Sequence, residues 1–213
     1  MRSKDMDYSE HMHLPAGNVA DSNTIDGVMD PEIKPLDPKM KMIGRALTVK
    51  CFPGDNLALH QGIAAAQKGD VIVFDCRGYT RAGHFGDMMA AACSTKGIAG
   101  VVIDGSCRDK EDIISLGFPV FARGVCPAPT VKESLAVIGK PVTAGGVTVK
   151  TGDIIFGDCD GIVVIPEEDS EKVFEKAEAK YAKEQKIREE LLAGKSSMEI
   201  YGFDKLVEQK QNA

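Results

Sequence analysis

The sequence predicts an α/β fold with a parallel β-α-β core, a second small sheet and a long C-terminal helix, and three observations predict it. First, Val71-Ile72-Val73-Phe74 and Val101-Val102-Ile103 are continuous apolar runs too short for helices, and the Ala-rich stretch Ala90 to Lys96, closed by Gly97, lies between them. Second, the region from Gly145 to Pro166 breaks into short apolar runs separated by Gly-Asp turns. Third, Glu168 to Ala193 is a charged stretch that carries Val173, Ala177, Ile187 and Leu191 on one helical stripe.

In chain order, residues 1–40 are polar and punctuated by Pro31, Pro35 and Pro38, and read as an arm laid over the core. Ala46-Leu47-Thr48-Val49 is the first strand, and a helix capped by Asp55 or Asn56 runs to Ala66. The strand at 71–74 is followed by a long Gly-rich loop from Gly78 to Asp87, then by the helix and the strand at 101–103. A right-handed crossover puts the carboxyl ends of both parallel strands at one edge, where ligands of open α/β sheets bind. Strands at 147–149, 154–156 and 162–165 form the second, partly antiparallel sheet and end the core (41–166). The segment Gly69 to Cys76 is echoed at Gly152 to Cys159, two copies that are too few for a solenoid. The C-terminal helix and tail occupy 167–213, where Met198, Ile200, Tyr201 and Phe203 form an apolar group suited to docking on the core or a neighbouring subunit.

Composition narrows the function. A net charge of -6, no Trp and 6% aromatics argue against a nucleic-acid groove, which needs a basic footprint. Without an apolar leader or an 18-residue apolar run, a cytoplasmic protein off the membrane is expected. Six cysteines without a C-x-x-C pair read as reduced thiols.

The chemistry-bearing residues lie at the predicted sheet edge. Backbone amides of Asp87, Met88 and Met89 at a helix start make a site for a carboxylate; the alternative is that Asp87 only caps its helix. At the end of the next strand, Asp104-Gly105-Ser106-Cys107-Arg108-Asp109 offers a guanidinium fork for a carboxylate or enolate and an oxygen ligand for a hard cation, unless Arg108 and Asp109 are a mutual surface pair. Glu184 falls within the apolar stripe of the C-terminal helix, either to pair with Lys180 or to reach across a subunit boundary. Arg81 and His84 either touch the distal part of a substrate or are solvated loop side chains. With His11-x-His13 the only close histidine pair, magnesium or manganese on carboxylates fits better than zinc on imidazoles.

Asp87, twenty intervening residues, Arg108-Asp109, two more and Asp112 form a D-x20-R-D-x2-D pattern. It resembles that of the 4-hydroxy-4-methyl-2-oxoglutarate aldolase family, which also includes the regulator of ribonuclease activity A (RraA) proteins. Flanking segments such as Gly54-Asp55-Asn56-Leu57, Gly100 to Gly105, Gly117 to Gly124 and Gly157 to Pro166 resemble it as well, so the likeness runs from about residue 18 to 195. The resemblance implies a swivelling β/β/α (RraA-like) fold, assembled as a homotrimer or homohexamer with sites between subunits. It implies that Asp109 ligates a divalent cation and that Arg108 contacts a small 2-oxo acid. Amides around Gly86 to Met89 would bind the pyruvyl carboxylate, and Asp87 and Glu184 would hold waters on the metal. The activity so implied is cleavage of a 4-hydroxy-2-oxo acid to pyruvate, with oxaloacetate decarboxylation through the same pyruvate enolate. A non-catalytic regulator that binds a ribonuclease, and a lyase for a sugar-acid-derived oxo acid, are the alternatives.

Overall fold

In a computed structural model, residues 8–212 are described. A 3-10 turn at Ser9–His13 leads into α1 (Ala16–Ser22), β1 (Lys34–Pro35), β2 (Met42–Lys50) and α2 (Leu57–Ala65). The centre of the chain alternates β3 (Asp70–Phe85), α3 (Asp87–Lys96), β4 (Gly100–Cys107), α4 (Lys110–Leu116) and β5 (Val120–Val125). Short strands follow: β6 (Val137–Ile138), β7 (Val142–Ala144), β8 (Val147–Val149), β9 (Ile154–Asp158) and β10 (Gly161–Ile165). The chain closes with α5 (Ser170–Leu192), α6 (Ser197–Tyr201) and α7 (Phe203–Gln211).

The main sheet runs β1-β5-β4-β3-β2-β9-β10, with β6 also on β2. Its centre, β2 through β5, is parallel, as the apolar runs predict, and the outer pairings are antiparallel. Strand alternation separates its two faces. Val49 and Phe74 are partners in the ladder and both pack on Gly62 of α2. Thr48, one residue before Val49, turns the other way and its hydroxyl donates to Lys140 O beside the β7–β8 hairpin. Helix layer, main sheet and hairpin layer therefore stack in that order, which is the expected β/β/α arrangement.

Local chemistry fixes the helix ends. Asp55 Oδ1 accepts from Leu57 N at the start of α2 (2.9 Å), while Lys96 donates to the last carbonyls of α2 at Ile63 and Ala64. Gly97 (φ 70°) closes α3 in the left-handed region, where a side chain would be strained.

Three expectations are corrected. Residues 78–85, read as a loop, are the second half of β3 and stay paired with β4. Phe74 lies opposite Ile103 and Phe85 opposite Cys107, so β3 takes eleven steps where β4 takes four, and the surplus bulges out around Arg77 and Gly78, both at positive φ. Secondly, β9 and β10 extend the main sheet through β2, so of the three strands expected in the small sheet β8 alone lies there, paired with β7. Every residue of β9 and β10 is buried, as a strand covered on both faces requires. Thirdly, Val173 and Ala177 of α5 are buried but Leu191 is 38% exposed, because the helix outruns the core beneath it.

Residues 8–40 contribute α1 and bury Met29, Ile33, Leu36 and Met40 in the core. Four cysteines are buried, Cys126 is half-buried, Cys159 is exposed, and all are free thiols. Among the described residues no helix is long and apolar enough to cross a membrane.

The start of α1 is tied to the sheet by Asp158, whose Oδ2 accepts from Ala16 N (2.8 Å) and whose Oδ1 accepts from Asp160 N. Asp158→Ala strands the buried Ala16 amide and is expected to cost about 1–3 kcal/mol. A lowered thermal midpoint, with proteolysis appearing first ahead of α1, is the result that checks this.

Candidate active site

Parallel strands β3 and β4 end side by side, and each hands the chain to a helix: Gly86 to α3, Asp109 to α4. The ladder's last bond, Arg108 N donating to Phe85 O (2.8 Å), locks these two turns together. Asp109 then adopts φ 56°, ψ 40°, a left-handed pose that is costly for a residue with a side chain. That pose turns its carboxylate back across the strand end onto Gly86. Asp87 N faces Asp109 Oδ2 at 3.4 Å, and Arg108 Nε donates to the same oxygen at 3.2 Å.

Two glycines make the arrangement possible. A Cβ at Gly86 would stand 2.4 Å from Asp109 Oδ2 and 3.3 Å from Arg108 Nε. A Cβ at Gly83 would meet Arg108 Cβ at 2.8 Å and Cys126 O at 2.4 Å. Gly83 thus lies under the aliphatic stem of Arg108, and Gly86 under the charged end of the pair.

Arg108, Asp109, Gly86 and the Asp87 amide therefore meet in one corner of a single chain. The side chains of Arg108 and Asp109 are 46% and 33% exposed, so the pair is open to a ligand while its backbone is fixed. At the amino end of α3, Met89 N is already bonded to Gly86 O (3.1 Å), and Met88 points outward, 74% exposed. Of the four expected amide positions, that of Asp87 is turned to the corner. Carboxylate oxygen, guanidinium and helix-start amides together suit a hard cation and a small anion.

Other groups of the same strands are committed elsewhere. Asp104 pairs with Arg123 Nε and accepts from Gly145 N (3.2 Å), while Arg123 also holds Asp30 (2.9 Å) and Glu32 (3.0 Å). Burial pushes the Cys107 thiol up to about 11, so it is protonated at neutral pH and no nucleophile.

Glu184 lies apart from this corner within one chain. It sits on α5, where its Oε2 accepts from Asn18 Nδ2 of α1 (2.7 Å) and its Oε1 is 3.8 Å from Lys180 Nζ. The pairing with Lys180 read from the sequence is present, and the Asn18 partner could not be foreseen without α1.

Arg81 is exposed on the bulged part of β3. His84 is neither solvated nor free: it is fully buried, its Nε2 accepts from Gly54 N (3.0 Å) and its Nδ1 faces Ser106 O (3.3 Å). Burial lowers its pKa, against the opposing pull of the Ser106 and Ala82 backbone and of Asp55. Sequence reasoning missed Gly83 as part of the site, although the Gly-His-Phe-Gly spacing before Asp87 was its visible trace.

The RraA-like family model, described as Aldolase/RraA, matches residues 16–164. A Halalkalibacterium halodurans protein named "Putative 4-hydroxy-4-methyl-2-oxoglutarate aldolase" is 38% identical over 184 residues, 84% of this chain and 88% of that one. Among solved structures, an uncharacterized protein from Pseudomonas syringae superposes with a TM-score of 0.77 at 28% identity, over 88% of this chain and 94% of its own. The RNA-processing inhibitor RraA from Thermus thermophilis gives a TM-score of 0.66 at 26% identity, over 73% and 94%. From the fold, the corner at the ends of β3 and β4 and these matches together, the chain belongs to the RraA-like family.

Proposed function

We propose that the protein is a divalent-metal-dependent lyase that cleaves a 4-hydroxy-2-oxo acid of the 4-hydroxy-4-methyl-2-oxoglutarate type and releases pyruvate. The observation that carries this reading is the left-handed Asp109, whose carboxylate is folded onto the start of α3 beside Arg108. An ion-pair role alone does not call for such a pose, since adjacent charges on an exposed loop pair without strain. The names of relatives such as the Halalkalibacterium halodurans protein support the same class of activity.

The donor set fits a hard cation, magnesium or manganese, with Asp109 as its ligand and Asp87 beside it. When bound, such an ion supplies Lewis-acid polarisation of the 2-oxo group. The chain's own residues do the rest. The amides nearest Gly86, with that of Asp87 foremost, orient the pyruvyl carboxylate at the positive end of α3. Arg108 reaches the oxygen that gains negative charge as the carbon-carbon bond breaks and a pyruvate enolate forms. Asp87, in the first turn of α3, takes the proton of the departing hydroxyl through water. Loss of CO2 from oxaloacetate gives the same enolate, so a decarboxylase side activity belongs to the same site.

We further propose that the site is completed by a second copy of the chain, in a homotrimer or homohexamer, and that the neighbour's Glu184 joins Asp87 in proton handling. The exposed apolar side chains Met88, Val125, Val131 and Leu135 support this reading, because side chains of that kind at the sheet's carboxyl edge favour a protein neighbour over water.

A lactate-dehydrogenase-coupled assay for pyruvate, over a panel of 4-hydroxy-2-oxo acids and oxaloacetate with and without magnesium, tests the proposal. Pyruvate release from at least one of them is expected. No turnover of any, together with retention of a ribonuclease in a pull-down, would move the protein to the regulator class. Arg108→Ala is expected to lower kcat by roughly 100-fold or more, by analogy with loss of an oxyanion donor, while the thermal midpoint stays near that of the parent. Dialysis against a chelator should abolish turnover and added magnesium or manganese restore it. Gly86→Ala should be as damaging as Arg108→Ala, since its methyl group takes the space of Asp109 Oδ2.

A further inference from the structure

We infer that His84, outside the chemistry proposed above, is a positioning residue whose neutral imidazole bolts the wall of the active-site corner to its floor. The inference rests on the lyase reading only for its consequence on turnover; the clamp itself stands on geometry.

His84 lies between two residues that touch Arg108. Gly83 lies under its stem, and Phe85 O accepts from its amide. From that position the ring reaches two other segments. Nε2 accepts from Gly54 N on the β2–α2 loop, and Nδ1 faces Ser106 O, two residues before Arg108. A carbonyl only accepts and an amide N-H only donates, so both contacts are satisfied by one species: neutral imidazole with its proton on Nδ1.

The Gly54 loop in turn carries the segment that flanks the corner. Val131 N donates to Gly54 O (3.0 Å) and Asn56 N to Val131 O (3.1 Å). Asp55 Oδ2 accepts from both Glu133 N (2.8 Å) and Ser134 N (2.7 Å). The same segment returns to the floor, where Ala128 O accepts from Gly83 N (3.0 Å). His84 therefore closes a ring of contacts: floor, Gly54 loop, flanking segment, floor.

Protonation breaks that ring. A second N-H at Nε2 would point at the Gly54 N-H, donor against donor, inside a fully buried site. The ionisable groups facing His84 are Asp55 on the β2–α2 loop and Tyr79 of β3, whose ring stands edge-on at 5.9 Å. β4 presents only the Ser106 carbonyl and Gly105, which leaves the ring its space. Asp55 draws the proton in, but burial outweighs it and the folded-state pKa lies below the ordinary 6.5. The folded chain thus binds fewer protons than the unfolded chain in this window. The contribution to stability is complete above the ordinary histidine value and is lost as pH falls from there through the folded-state value. In the folded enzyme, turnover should fall on the acid side as His84 becomes charged.

The test compares the parent with His84→Gln and His84→Leu. Glutamine offers an oxygen acceptor to Gly54 N but does not titrate. Pyruvate release is measured for kcat and KM from about pH 5 to pH 8, the range in which histidine changes charge. His84→Gln should keep kcat within about threefold at neutral pH and lose the acid-side fall. His84→Leu should lose about tenfold to 100-fold in kcat, as expected of a misplaced reacting group. An unchanged acid-side fall in His84→Gln, or parental kcat in His84→Leu, overturns the inference. The second readout needs no activity: nitrogen NMR of the ring in the full chain should show the proton on Nδ1 at neutral pH. A proton on Nε2, or a charged ring, overturns the clamp. If the parent turns over no oxo acid, the lyase reading falls while the NMR result still decides the clamp.

Discussion

The structure turns on a close approach between two backbones, with Arg108 and Asp109 lying across the end of β3 because Gly83 and Gly86 have no side chains there. With the strand ends bound through Phe85 O and Arg108 N, the backbone that carries the two charged groups is held at the end of β3. The left-handed Asp109 is the cost of this geometry, held by the ladder behind it and by the helix that begins immediately after it. A rigid sheet edge thus delivers a carboxylate, a guanidinium and a helix start to one place without relying on a flexible loop.

Much of the fold was legible in the sequence, because continuous apolar runs and helix-closing glycines are local signals. Val71 to Phe74, Val101 to Ile103 and Gly97 announced the parallel centre directly. Pairing that depends on distant partners was not legible. Nothing near Ile154 or Ile162 says that β9 lies against Met42 to Arg45, and a Gly- and Arg-rich run such as 77–83 reads as a loop because its polar side chains emerge at the bulge. The helix at Ala16–Ser22 was hidden by its weak apolar pattern, and its anchor, Asp158, is 142 residues away.

At the site, Arg108, Asp109 and the start of α3 could be found because a crossover obliges consecutive parallel strands to end at one edge. His84 was misjudged for the opposite reason. Its neighbours in sequence are a Gly-rich polar run, but its neighbours in space are Gly54 and Ser106, brought together only when β2, β3 and β4 align. Glu184 shows the limit in another way, since within one chain its hydrogen bond goes to Asn18. What a lone acid on a helix stripe does depends on packing that periodicity does not encode.

The surplus of β3 has a consequence for how such a protein can diversify. Because eleven steps of one strand are matched to four of the next, the chain between Phe74 and Phe85 is fixed at both ends and slack in the middle. Residues such as Arg77, Tyr79 and Arg81 ride on that slack, on the strand whose end forms the candidate site. This stretch has room to change in length or character while the hydrogen bonds at its two ends hold Arg108 and Asp109 in place. Under the proposed function, selection of the substrate's distal part is thereby uncoupled from upkeep of the Arg108-Asp109 corner.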